Sequence, residues 1–221
     1  MAAVRIYELQ LELPEALPEI VWRGLQKGWY EREEVELIRR YVKPGDRVLE
    51  MGAGLGVTTM VAARIVGAEA IHTFEANPCL IPLFRENAAR NGLDIKIRNV
   101  VLWPESTRAA RREIGLAADG AFWAASVVTE PEAASTRVPV ESFEAACAEH
   151  AANVLVMDIE GFEIDIFEQC DLAAFDRVIV EIHYRVAGRE RTDRAVRGMQ
   201  DRGFRLDLEA SSRGVLHLDR A

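Results

Sequence analysis

The sequence predicts an α/β fold: an open, doubly wound, mostly parallel sheet that closes in an antiparallel hairpin. Three observations carry this. From residue 47 onward, short apolar runs alternate with segments of helical periodicity. Two of those runs, NVLVMDI (153–159) and RVIVEIH (177–183), are apolar almost without a break, as strands covered on both faces require. The chain then ends on FRLDLEA (204–210) and GVLHLD (214–219) around the turn SSRG, a hairpin signature. A length of 221 residues suits one such domain. Residues 1–44 read as an N-terminal strand and helical segment, and 45–221 as the ligand-binding part of the same compact unit.

Taken in order, residues 1–18 predict a short strand and a proline-broken loop. Residues 31–42 place Val35, Ile38, Tyr41 and Val42 on one helical face, and the turn KPGD (43–46) ends that helix. RVLEM (47–51) is a strand, and 56–66 a helix with Val57, Met60, Val61 and Ile65 on one side. AIHTFEA (70–76) is a second strand. Asn77 caps the next helix, with Pro78 at its first position, and Asn91-Gly92 stops it. DIKIRNVVLW (94–103) is a third strand. The stretch 104–140 is irregular, with strand character at 121–129. Helices at 141–150, about 163–170 and about 189–202 separate the remaining strands.

Composition narrows the function classes. The formal charge is −9, and an acidic surface repels a phosphate backbone. The densest basic stretch, RAARRE (108–113), reads as a solvated helix face. No nucleic-acid partner is expected. The three cysteines are widely spaced and form no CxxC pair, which points to reduced thiols in the cytoplasm. The first twenty residues lack an apolar core, so no signal peptide is expected, and no apolar run is long enough for a membrane span.

The most informative segment joins the first long strand to its helix: Glu50-Met51-Gly52-Ala53-Gly54-Leu55-Gly56. Glycines there allow a tight turn and close approach to a ligand. A dinucleotide loop has the longer spacing G-x-G-x-x-G, with a pyrophosphate over the helix start. Here the third glycine comes one residue early, and Glu50 would repel a pyrophosphate. A carboxylate suits a cationic ligand instead, such as the ammonium and sulfonium of S-adenosylmethionine. Glu75 ends the second strand, where an acidic residue accepts hydrogen bonds from ribose hydroxyls. An NAD(P)-dependent oxidoreductase and a non-catalytic S-adenosylmethionine-binding protein are the competing readings.

With these motifs the chain resembles the class I S-adenosylmethionine-dependent methyltransferases, and among them the FkbM-type family, over roughly residues 28–208. WYEREEVELI (29–38), GDRVLEMGAGLGVTT (45–59), VPVESFEA (138–145) and VLVMDIEGFEIDIF (154–167) with VIVEIH (178–183) carry the likeness. Such families often have Asn where Ala53 stands. The resemblance implies a Rossmann-like, seven-stranded sheet and O-methylation of a sugar, polyketide or other hydroxylated small molecule. The expected cofactor contacts are Tyr30, Glu31, Glu50, Gly52, Ala53, Gly54, Gly56, Glu75, Ala76, Asn99 and Asp158, with S-adenosylhomocysteine as product. The oligomeric state stays open, a homodimer being one option.

Methyl transfer to oxygen needs alignment and removal of a proton. Asp158, Glu160, Glu181 and His183 all follow strands on the edge that carries the glycine loop. Asp158 ends an apolar strand, a costly place for an unpaired carboxylate. His183 is the natural base by its ordinary pKa. Asp158, Glu160 and Glu181 together also suit a hard cation such as Mg²⁺. Glu163 is explained by its place at a helix start. Trp103, Phe122 and Trp123 are candidates to cap an acceptor, or to belong to the core.

Overall fold

The structure, a computed structural model, describes residues 1–108, 112–117, 126–128 and 136–220. The chain opens with β1 (Ala2–Ile6) and β2 (Leu9–Leu13), an antiparallel pair. Tyr7 and Glu8 both take positive φ, 48° and 68°, the geometry of a type I′ turn. A strand and loop were expected here; Tyr-Glu lacks the Gly or Asn by which such turns are recognised. α1 (Glu19–Lys27) was not foreseen, since it buries only Val21, Gly24 and Leu25. α2 (Arg32–Tyr41) buries Val35, Leu37 and Ile38.

β3 (Val48–Met51), α3 (Val57–Val66), β4 (Ile71–Phe74), α4 (Leu80–Arg90) and β5 (Lys96–Arg98) follow the predicted alternation, with two corrections. Asn77 does not cap α4 directly. Its Oδ1 accepts from Cys79 N at 3.0 Å and closes a turn ahead of the helix. The expected strand 94–103 is broken in two. β5 pairs with β4, whereas β6 (Val101–Trp103) leaves for a second sheet. At the break, Asn99 Nδ2 donates to the carbonyls of Glu75 and Ala76, 2.8 Å each.

α5 (Glu105–Arg108), β7 (Glu113–Ala117), β8 (Ser126–Val128) and β9 (Thr136–Ser142) come next. The second sheet has the order β6-β9-β7-β8. Of the strand expected at 121–129, β8 is the described part; Phe122 and Trp123 lie outside the described residues. α6 (Phe143–His150) starts where Ser142 Oγ accepts from Ala145 N at 3.1 Å, an N-cap.

β10 (Val154–Met157), α7 (Glu163–Gln169), β11 (Arg177–Glu181), α8 (Tyr184–Ala187), α9 (Arg189–Asp201), β12 (Phe204–Leu206) and β13 (Val215–Arg220) complete the chain. The terminal hairpin is present, but β12 stops at Leu206. Asp207 Oδ1 accepts from Glu209 N and Ala210 N, 3.1 Å each, and turns the chain out of the sheet.

The large sheet has the order β12-β13-β11-β10-β3-β4-β5. Its central strands are parallel, and β13 runs against β11 and β12. Strand alternation splits the core. Val48, Val154, Val156 and Ile179 pack with the N-terminal hairpin and α1 to α4. Leu49, Leu155, Met157, Val178 and Val180 pack with α6, α7 and α9. Each such side chain contributes roughly 1.5–3 kcal/mol by leaving water. The winding reverses between β3 and β10, so a crevice opens at their C-terminal ends. Cys79, Cys147 and Cys170 are all free thiols. Among the described residues no helix is long and apolar enough to cross a membrane.

Candidate active site

The C-terminal ends of β3, β4 and β10 open on a cleft of about 470 Å³. Of the predicted contacts, Tyr30, Glu31, Gly52, Gly54, Glu75, Ala76, Asp158, Glu160 and Glu181 line it. Glu50, Ala53, Gly56, Asn99 and His183 do not.

The loop after β3 explains its glycines separately. A Cβ on Gly52 would stand 1.7 Å from the Asp158 carbonyl oxygen. That glycine lets the loops after β3 and β10 touch, and Asp158 N donates to Met51 O at 3.0 Å across the contact. Among the described residues a Cβ on Gly54 would meet only Glu31 Oε1, at 3.7 Å, and otherwise point into open cleft. Gly56 precedes α3 against the Phe84 ring. Ala53 is buried in the core. Asn99 holds the backbone of Glu75 and Ala76 from behind.

Glu50 corrects the sequence expectation. Its carboxylate lies beneath the loop, 2% exposed. It accepts from Thr58 Oγ1 at 2.8 Å, from Thr73 Oγ1 at 2.6 Å and from Thr59 Oγ1. Its oxygens are occupied in fastening α3 and β4 together, so it does not face a ligand cation. Burial raises its pKa despite the three hydroxyls.

The carboxylate that does face the cleft beside Gly54 is Glu31. It sits just before α2 with φ 49°. Its Oε2 is buried and has no hydrogen-bond partner among the described residues. Burial and the neighbouring Glu34 push its pKa up to about 8, against the bond from the Tyr30 hydroxyl. A cation would relieve that penalty. Across the loop, Glu75 Oε2 accepts from Gly54 N at 2.8 Å and Oε1 from Asn77 N at 2.7 Å. This end of the cleft fits S-adenosylmethionine: a carboxylate with one oxygen unpartnered among the described residues for the ammonium, space over Gly54, and Glu75 at the strand end for a ribose.

The other end is built by the loop after β10. Glu160 takes φ 54°, an uncommon conformation for a residue with a side chain. Glu163 is fully buried and organises the loop. Its Oε1 accepts from Ile159 N at 3.0 Å and from Gly161 N at 3.1 Å, and lies 3.0 Å from His183 Nδ1. The imidazole is thereby held with Nε2 at 3.4 Å from Glu160 Oε2 and 3.8 Å from Asp158 Oδ1. Burial lowers the His183 pKa, but Glu163, Asp158 and Glu160 outweigh it and raise it to about 9. His183 therefore keeps its proton at neutral pH and stands behind the cleft wall, so it is not a free base. Burial and the nearby Glu181 hold the Asp158 carboxyl well above the usual range.

The expected carboxylate trio for a cation is not assembled. Glu181 hydrogen-bonds Glu34, whose buried carboxyl is pushed up to about 7, chiefly by burial. His183 takes its place: ligand atoms of Asp158, Glu160 and His183 lie within 4.8 Å of one another. Glu34 is a cleft residue that the sequence reading did not single out, and Glu163, explained there by its helix start, also anchors the loop and His183. Glu34 had a signal, since it shares a helical stripe with Ile38 and Tyr41. Trp103 is buried and stacks on Phe162, 4.3 Å between centroids, so it supports the cleft wall and is no cap.

A family model described as the methyltransferase FkbM domain matches residues 50–206. A ribosomal protein L11 methyltransferase of Symbiobacterium thermophilum is 37% identical over 65 residues, 29% of this chain and 21% of that protein. Its counterpart in Chloroflexus aurantiacus is 27% identical over 123 residues, 56% of this chain and 35% of that protein. The matched segments thus span well under half the length of these relatives. Among solved structures, a SAM-dependent O-methyltransferase from Thermotoga maritima superposes with a TM-score of 0.51 at 14% identity, covering 87% of this chain and 66% of that one. A Pyrococcus abyssi tRNA (uracil-54, C5)-methyltransferase in complex with S-adenosyl-L-homocysteine also gives 0.51, at 13% identity, covering 99% and 43%. These likenesses establish the Rossmann-like class I methyltransferase fold.

Proposed function

Because the chain belongs to the FkbM methyltransferase domain family, we propose that it methylates a hydroxyl of a small acceptor, such as a sugar or another hydroxylated metabolite, using S-adenosylmethionine. The observation that carries the reading is the open space over Gly54 beside the unpartnered Glu31 oxygen. When bound, S-adenosylmethionine supplies an electrophilic methyl group on a sulfonium. Glu31 pairs with the amino-acid ammonium, and Glu75 accepts from ribose hydroxyls. Asp158 and Glu160 meet the acceptor, with His183 and Glu163 fixing their positions. These groups are close enough to titrate as one unit. The proton leaving the acceptor hydroxyl passes to that unit.

The names of the relatives raise two other acceptors, a ribosomal protein and a tRNA. Glu31, Glu33, Glu34, Asp158, Glu160 and Glu181 line the cleft, and so many carboxylates oppose a phosphate backbone. The test is transfer of labelled methyl from S-adenosylmethionine to a panel of hydroxylated small molecules, ribosomal protein L11 and tRNA. Labelling of the small molecules alone is expected. Labelling of protein or tRNA alone refutes the acceptor class, and cofactor binding without transfer to any acceptor refutes catalysis. Chelation separates two versions of the chemistry. A rate lost in EDTA and restored by Mg²⁺ assigns the cluster to a cation, and an unchanged rate assigns it to proton transfer.

A further inference from the structure

A second concavity, of about 600 Å³, lies along β4, β5 and the end of α6. Arg47, His72, Arg85, Lys96, Arg98 and His150 line it, with Asp94 and Glu149 as the acidic members. None of these residues has a part in the methyl-transfer reading. They come from five stretches of the chain, so no basic run in the sequence announces them. Strand pairing brings them together: His72 is opposite Lys96, and Phe74 opposite Arg98. His150, the last residue of α6, stacks on His72 with centroids 3.5 Å apart.

Three features mark the groove as more than a solvated surface. The first is uncompensated charge in a chain of net charge −9. Glu141 and Glu149 hold Arg98, but Arg85 and Lys96 are exposed and make no ion pair among the described residues. The second is a pair of orphaned donors or acceptors. His150 is only 6% exposed, and its Nε2 and that of His72 are buried without a hydrogen-bond partner among the described residues, a rare condition in a folded protein. The third is the local potential. Burial, then His150, Arg47 and Lys96, push the His72 pKa down to about 4. Burial is the largest of these causes, and the positive neighbours outweigh the opposing Glu149.

We propose that this groove binds a small phosphorylated molecule carrying at least two negative charges. Guanidinium forks and an ammonium are the groups that recognise phosphate oxygens. The volume lies in the range of sites for whole small molecules, beyond what one phosphate group fills. A bounded groove on an acidic chain favours such a ligand over a polymer backbone, which needs a longer basic track. Phe74 lines both this groove and the methyl-transfer cleft, with Arg98 over its ring at 5.6 Å. The two sites therefore share one lining residue.

The test is calorimetric titration with inorganic pyrophosphate, with and without saturating S-adenosylhomocysteine. Wild-type protein is expected to bind one pyrophosphate in both conditions. The double variant Arg85→Glu/Lys96→Glu should bind it at least about tenfold more weakly and keep its affinity for S-adenosylhomocysteine. Should that variant misfold, Lys96→Gln alone is expected to show a smaller loss in the same direction. Absence of binding, binding unchanged by these substitutions, or displacement of S-adenosylhomocysteine by pyrophosphate would overturn the proposal. So would a single-stranded RNA that binds at this groove and is not displaced by pyrophosphate.

Discussion

Gly52 and Gly54 look alike in the sequence and answer different physical demands. A side chain at Gly54 meets open cleft, so Gly54→Val should fold and lose cofactor. Positive φ adds a backbone cost of about 1–3 kcal/mol for a residue with a Cβ. Titration of S-adenosylhomocysteine should show affinity at least about tenfold lower. Gly52→Ala should fail differently, because its Cβ collides with backbone at Asp158. Its thermal midpoint should fall before any affinity is read. Glu50 points away from the ligand because of strand parity. Leu49 and Met51 face the other layer of the core, so a strand period of two sends Glu50 toward α3. The motif spacing showed where a carboxylate stands and not which way it points. His183→Ala and Asp158→Asn should each retain S-adenosylhomocysteine binding and lose most methyl transfer. Turnover of the wild type should rise with pH as the cluster gives up protons. Wild-type rates in both variants would remove this loop from the chemistry.

Elements were legible where apolar runs were long and hidden where one side chain redirects the chain. β10 and β11 stood out as buried strands. The break between β5 and β6 did not, since it depends on Asn99 reaching back to Glu75 and Ala76. The docking of β2 was equally hidden. Asn87 of α4 and Asn91 just past its end bond the backbone of Glu12 and Gln10 across more than seventy residues of sequence. The starts of β3 and β11 are joined by a pair no periodicity reveals. Arg177 donates through both terminal nitrogens to Asp46, at 2.7 and 2.8 Å, with both side chains largely buried. Burial opposes the charge on Asp46, but Arg177 and the backbone N–H of Lys43 hold its pKa below the usual value. Asp46→Ala should cost about 3–5 kcal/mol by stranding the guanidinium, read as a lower denaturant midpoint. A depressed folded pKa gives stability that is present above about pH 4 and lost as pH falls below it. Wild-type protein should therefore lose part of its advantage over the variant in acid.

At the scale of the molecule, several carboxylates converge on one cleft, where burial makes those of Glu31 and Glu34 costly to ionise. Glu31 and Glu34 are pushed up to about 8 and about 7, whereas unfolded glutamates titrate near about 4.3. A carboxyl with a raised folded pKa stabilises the fold fully at low pH, and that contribution disappears as pH rises through the folded value. The ligand-free protein should therefore show a thermal midpoint that declines between about pH 5 and about pH 9. Cofactor binding works against this loss. An ammonium beside Glu31 favours the ionised carboxylate, so binding at pH 7 should expel a proton from it. Calorimetry in buffers of different ionisation enthalpy counts that proton. Release approaching one per S-adenosylhomocysteine is expected at pH 7, fading above about pH 9, where Glu31 is already ionised. Glu31→Gln should abolish the release and weaken binding, whereas Glu50→Gln should leave the release intact. Proton release that survives in Glu31→Gln would move the ammonium contact to another carboxylate of the cleft.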